Sequence, residues 1–320
     1  LHLCDRRQRQ MCIRDRILTG VNGTMIRWAR ERYNMSTVEA AHAIGIDAKR
    51  YERWENNEDF PTYAMLKKIS NVFQKPSALF FFPAPPNLPE INGELRTLPN
   101  SVTSSFSKQI IQQFEKAKAY QLNLQELYGT RYCILQDKAT LPSDIATLSQ
   151  YIRNRLAFPI KAQKQRRNAK IVFEYFREKF YEQGIYVFKD AFGDNSVSGL
   201  CVYDVNFPVI IINNAMSFPR QSFTLFHELY HLLSNTGGAE IIRDDFYSYL
   251  NETQAVTEKD CDTFANEFLI PTDDFLLEIK DKVLSDTLIS ELSTIYSVSK
   301  EAIICLLYTS PSPRDSTSSR

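Results

Sequence analysis

Between residues 17 and 82 apolar side chains recur every three to four positions in four short runs, "TMIRWARERYN", "TVEAAHAIG", "DAKRYERWEN" and "TYAMLKKISNVF". That spacing predicts four amphipathic helices, each with one apolar stripe. Ser36 and Thr37 can open the second helix, Asp47 can cap the third, and "FPT" at 60–62 separates the third from the fourth. Short connections then force an all-α bundle whose expected core is Ile26, Ala29, Ala40, Ala41, Ile44, Ile46, Tyr51, Trp54, Leu66, Ile69 and Phe73. Five prolines follow within 81–101. Each fixes φ and removes a donor, so neither helix nor sheet persists there, and 83–103 is expected to be a linker.

Helical periodicity returns in "SFSKQIIQQFEKAKAYQLNLQELYG", "SDIATLSQYIRNRLAF" and "KQRRNAKIVFEYFREKFYEQG", the last ending at Gly184, a residue suited to a C-terminal cap. The period then shortens. "IYVFKD", "GLCVYD" and "FPVIIINN" read as strands, with Val205 and Asn206 in the turn joining the last two. Two more helices are expected, one containing "HELYH" and one over "EKDCDTFANEFL", stopped by Pro271. A small sheet with helices packed on it is an α+β domain, expected to occupy 104–304. Within it "PVIIIN" has two readings: an exposed edge strand, to which an extended peptide can add through main-chain hydrogen bonds, or a strand that packs the core, and a strand's two faces allow both.

Composition narrows the setting. The 320 residues hold 38 basic and 38 acidic side chains, so no overall charge steers the chain to nucleic acid or membrane. The longest apolar stretches are too short to span a bilayer. Cys133, Cys201 and Cys261 are far apart, which fits neither a disulfide framework nor a zinc ribbon and points to the reducing cytoplasm. Residues 1–16 carry charge without periodicity, and "MCIRDR" at 11–16 and "CLLYTSPSPRD" at 305–315 resemble translated sequencing-adapter sequence. With 1–16 and 305–320 set aside as artefact, the native fragment is expected to run from Ile17 to Ile304, short of both natural termini.

The candidate chemistry lies in "SFTLFHELYHLLSN" at 222–235. A helix turns about 100° per residue, so His227 and His231 project from one face and can grip one cation together, with Glu228 one step round. Two neutral imidazoles holding Zn2+, beside a carboxylate that takes a proton from water, make a hydrolytic centre. A third protein ligand must come from elsewhere. The next helix offers "EKDCD": Glu258 as ligand, with Asp262 one turn on, able to accept the outer N–H of a liganding histidine and fix its tautomer. Asp260, offset by two residues from both, is the rival ligand. Tyr230, Tyr247 and Tyr249 lie near enough in sequence to donate to a transition state, and the spacing selects none of them.

"SFPRQSFTLFHELYHLL" followed by "EKDCDTFANEFLIP", with "FGDNSVSGLCVYDVNFPVIIINN" upstream, resembles the ImmA/IrrE-type metallopeptidases, the likeness running over about residues 104–304. The resemblance implies a zincin-like domain, zinc ligands at His227, His231 and Glu258, a catalytic Glu228, and a repressor-type protein as substrate. Asp262 stands where that family commonly has Asn, and keeps its capacity for hydrogen bonding.

"STVEAAHAIGI" followed by "YERWENN" resembles the helix-turn-helix of phage-repressor-like (XRE) regulators over about fifty residues. In that geometry "AKRYERWE" enters the major groove of double-stranded DNA, with Lys49, Arg50 and Arg53 as candidate contacts. Nine Lys or Arg against seven Asp or Glu between Thr24 and Lys75 is a thin surplus for neutralising phosphates, so protein docking is the competing reading of this bundle. The expectation is a multidomain cytoplasmic regulator, with an all-α helix-turn-helix bundle over 17–82 and an α+β zincin-like endopeptidase after the linker. The alternative is a DNA-binding regulator whose metal domain senses rather than cleaves. Glu228 weighs against it, because a purely binding site has no use for a base.

Overall fold

The computed structural model describes residues 16–86, 103, 106–242 and 246–309. The adapter-like ends, apart from Arg16 and 305–309, and the proline-rich linker, apart from 83–86 and 103, therefore lie outside the described residues. The chain divides into two compact units, Leu1–Pro89 with Ser104–Ile111, and Glu90–Thr103 with Gln112–Arg320.

The first unit is helical: α1 (Gly23–Glu31), α2 (Thr37–Ile44), α3 (Ala48–Glu55) and α4 (Tyr63–Val72), then a 3-10 turn at Ser77–Phe81. Side chains of Asn22, Ser36, Asp47 and Thr62 cap the four helix starts, and Ser36 with Glu39 closes a reciprocal capping box. Gly45, at φ 79°, reverses the chain between α2 and α3 in a conformation that favours glycine. Of the expected core only Ile46 is left half-buried, because it sits in that turn rather than on a helix stripe. Val21, Met25, Tyr33 and Phe80 are among the further residues buried there. Buried Glu55 accepts two hydrogen bonds from Arg30, at 2.7 and 3.1 Å, and so ties α3 to α1.

The second unit takes α5 (Lys108–Tyr128) from Gln112 onward, then α6 (Ile145–Arg155), α7 (Ile160–Arg166) and α8 (Ala169–Glu182). Strands β1 (Tyr186–Asp190), β2 (Val197–Val202) and β3 (Val209–Asn213) come next, then α9 (Phe218–Leu233) and β4 (Gly238–Ile241). Four helices close the unit: α10 (Glu252–Leu269), α11 (Thr272–Ile279), α12 (Asp286–Tyr296) and α13 (Lys300–Thr309). The one helix expected from Lys164 to Gly184 is two, since Arg167 at φ 45° ends α7 and the Asn168 side chain caps α8. Gly184 does lie just past α8, at φ 79°, where a Cβ would stand 2.3 Å from the Tyr132 carbonyl oxygen.

The sheet runs β1-β3-β2-β4, with β1 parallel to β3 and β2 antiparallel to both β3 and β4. Of the two readings of "PVIIIN" this excludes the exposed edge and favours core packing. β3 is internal, bonded on both sides, and all five of its residues are buried. An unbroken β-branched run suits a strand covered on both faces. The edges are β1 and β4, and β4 was not expected, since "GAEI" has neither the length nor the alternation of a strand.

Helix α9 lies directly on β2: a Cβ on Gly199 would stand 2.4 Å from the Thr224 side chain. On its apolar face Phe226 stacks on Phe268 of α10, with ring centroids 3.8 Å apart, and meets Phe176 of α8 edge-on at 4.8 Å. This packing sets α10 beside α9. The end of α10 is pinned by buried Arg153, which donates to the Phe268 carbonyl, to the Phe158 carbonyl at 2.9 Å and to Gln163 Oε1 at 3.1 Å. Arg153→Met removes these donors and leaves buried oxygens unsatisfied, an expected cost on the order of 3 kcal/mol to the second unit. Urea unfolding checks it. The far-ultraviolet circular dichroism transition should shift, while fluorescence from Trp28 and Trp54, the only two tryptophans and both in the first unit, should not.

Candidate functional site

Ser217 caps α9 and Pro219 sits in its first turn, so the helix is firmly started two turns before the motif. His227, Glu228 and His231 are all buried, as is Glu258 on α10. His227 Nε2 lies 3.3 Å from Glu258 Oε2, and His231 Nε2 lies 3.5 Å from Glu258 Oε1. Each imidazole is fixed through its other nitrogen. His227 Nδ1 is 2.9 Å from Asp262 Oδ1, and His231 Nδ1 is 3.3 Å from Thr236 Oγ1, whose hydroxyl donates to the His231 carbonyl at 2.9 Å. Both Nε2 atoms are thus turned toward the same carboxylate.

His227 Nε2, His231 Nε2, Glu258 Oε1 and Glu228 Oε2 are buried and make no hydrogen bond among the described residues. Buried polar atoms are normally satisfied, so such a set calls for a binding partner. Donors bonded to one tetrahedral ion at about 2.0–2.2 Å stand roughly 3.3–3.6 Å apart, and each histidine Nε2 stands at that spacing from one of the two Glu258 oxygens. The residues fit a divalent cation. Electrostatics agree: burial works against charge on Glu258, but His231 and His227 outweigh it and hold the carboxyl down at about 2. Burial likewise opposes charge on His227, yet Asp262 and Glu258 raise its pKa well above the usual value. A metal ion would replace the proton these groups share.

Glu228 faces a different environment. Its Oε1 accepts from the Glu240 backbone N–H at 2.8 Å, and burial raises its pKa above the ordinary carboxylate range. A cleft of about 140 Å³ reaches the site, lined by Arg220, Phe223, His227, Glu240, Ile241, Phe246, Glu258 and Asp262. Within it Arg220 pairs with buried Glu240 at 2.5 Å. Wider hollows of about 490 and 480 Å³ open elsewhere, lined by neither histidine nor cysteine.

The rival Asp260 is half-buried, and its charge acts on Tyr230, whose pKa is raised by burial first and Asp260 next. Tyr230 packs on the Phe264 ring, Tyr249 is exposed, and the side chain of Tyr247 lies outside the described residues. Thr236, Glu240 and Arg220 escaped the reading of the sequence. Arg220 was findable, since it precedes His227 by seven residues, two turns on one helix face. Cys261 was also passed over: its thiol lies within 4.8 Å of a ring nitrogen of each histidine.

In the first unit Lys49 and Arg53 are exposed and Arg50 is half-buried. Asp59 holds both arginines, 3.3 Å from Arg50 Nε and 3.9 Å from Arg53 Nη2. If α3 contacts phosphates, Lys49→Ala should weaken DNA binding about equally across sequences. It should also reduce the slope of log affinity against log salt by about 1, as fluorescence anisotropy at several salt concentrations would read.

A buried HExxH helix on a mixed sheet, with an acid from a later helix closing on its histidines, is a zincin-like arrangement; α2 and α3 about Gly45 are a helix-turn-helix. Comparison with known families agrees. Residues 181–305 match the family described as IrrE N-terminal-like domain, of the M78 peptidases, and residues 26–80 match the helix-turn-helix family. No curated protein matches the chain. The chain carries an N-terminal XRE-type helix-turn-helix domain followed by a domain of the metallopeptidase type. Among the described residues no helix is long and apolar enough to cross a membrane.

Proposed function

We propose that this protein is a cytoplasmic zinc-dependent endopeptidase that cleaves a repressor-type protein, with the helix-turn-helix domain bringing it to double-stranded DNA. The observation that carries the reading is the convergence of two tautomer-fixed imidazoles and the Glu258 carboxylate, all buried and short of hydrogen bonds. His227, His231 and Glu258 hold the ion, and Asp262 orients His227. Zinc bound there supplies Lewis-acid activation of water and of the substrate carbonyl. Glu228, held through Oε1 by the Glu240 N–H, keeps Oε2 available to accept the proton of the attacking water and pass it to the leaving amine. Its raised pKa suits both halves of that transfer.

Substrate binding follows from the corrected sheet order. β3 is internal, so an extended peptide has to use an edge, and β4 is the edge whose residues line the cleft. The test is to induce the wild-type chain and its Glu228→Gln form in parallel and compare proteomes. Proteins lost only with wild type are the substrates; identical proteomes would remove the peptidase reading and favour a metal-sensing regulator.

A further inference from the structure

Cys261 belongs to the same face of α10 as Glu258, three residues away, and is fully buried. Its Sγ and one ring nitrogen each of His227 and His231 all lie within 4.8 Å of one another. The independent sign of a ligand there is the set of buried, unpartnered atoms His227 Nε2, His231 Nε2 and Glu258 Oε1. The two histidines thus have two neighbouring donors, the Cys261 thiol within 4.8 Å and the Glu258 carboxylate at 3.3 and 3.5 Å, where a hydrolytic zinc site commonly uses one further protein ligand and keeps the fourth position for water.

We infer that Cys261 is a thiolate ligand of the resting metal site, so that the ion is held by His227, His231, Glu258 and Cys261 in a closed set. This deepens the metallopeptidase reading and rests on it. On ligation a sulfur–metal bond forms and the S–H proton leaves to solvent. The Sγ atom has to close from within 4.8 Å to the roughly 3.5 Å spacing of a tetrahedral set. Two consequences follow. A soft thiolate biases the site toward zinc over manganese or iron(II). Water gains its place only when the thiolate withdraws, which makes Cys261 a latch on the peptidase.

Cys201 is the natural control, because it is equally buried but its thiol is engaged with Glu228. The experiment is X-ray absorption of the zinc-loaded full chain, paired with the near-ultraviolet spectrum of the cobalt(II) form. Wild type and Cys201→Ser should show one sulfur at about 2.3 Å and a sulfur-to-cobalt charge-transfer band. Cys261→Ser should lose both while still binding one ion per chain, and that retained stoichiometry shows the site is folded. One ion bound without sulfur in wild type, or a band that persists in Cys261→Ser, overturns the inference and leaves the His–His–Glu site standing. Failure of wild type to bind stoichiometric metal overturns both.

Discussion

Glu228→Gln is expected to lower peptide-bond hydrolysis by about 10²–10⁴-fold, the usual contribution of a positioned general base, while zinc content stays at that of wild type. The substitution is chosen for what it spares. Glu228 Oε1 accepts the Glu240 N–H at 2.8 Å, and the glutamine carbonyl oxygen can take over that bond, so β4 and α9 keep their contact. What changes is Oε2, the atom without a hydrogen-bond partner, which becomes an amide that cannot accept a proton. Because burial raises the Glu228 pKa, a neutral replacement should not destabilise the fold. Hydrolysis of the substrate found by the proteome comparison, measured beside elemental analysis of the same sample, decides it. Wild-type turnover in the variant would reassign the base; lost zinc would place Glu228 among the ligands.

The parts of this site that the chain discloses and those it hides differ in physical kind. The spacing of His227 and His231 is set by one helix, and so is that of Glu258 and Asp262, so periodicity alone puts each pair on a common face. That the two helices converge depends on Phe226 meeting Phe268, a contact between residues 42 positions apart that no local pattern encodes. Sheet order is hidden for the same reason. "VIIIN" says only that a strand is buried, and whether it is an edge depends on which strands bond to it. β4 was missed because it is stabilised from outside, by pairing with β2, and its small residues are there to make room.

Gly238 shows what that room is for. A Cβ at this position would stand 2.4 Å from His231 Cδ2, 2.6 Å from Cγ and 2.8 Å from Nε2, closer than atoms can approach. Gly238→Ala should therefore force one of two shifts. Either the His231 ring swings away, breaking the 3.5 Å alignment of Nε2 with Glu258, or β4 moves off α9 and takes the Glu240 N–H away from Glu228. The ring is the softer element, since β4 is held to β2 through pairings from Cys201–Gly238 to Val197–Ile241. The expected result is a fall in zinc affinity of about 100-fold, comparable to losing the groups that orient a liganding histidine. Chelator competition reads this directly. Unchanged tryptophan fluorescence unfolding would show that the first unit, which holds Trp28 and Trp54, is untouched. Wild-type zinc affinity in Gly238→Ala would mean that β4 yields first, and hydrolysis should then fall through Glu228 instead, with the metal still in place.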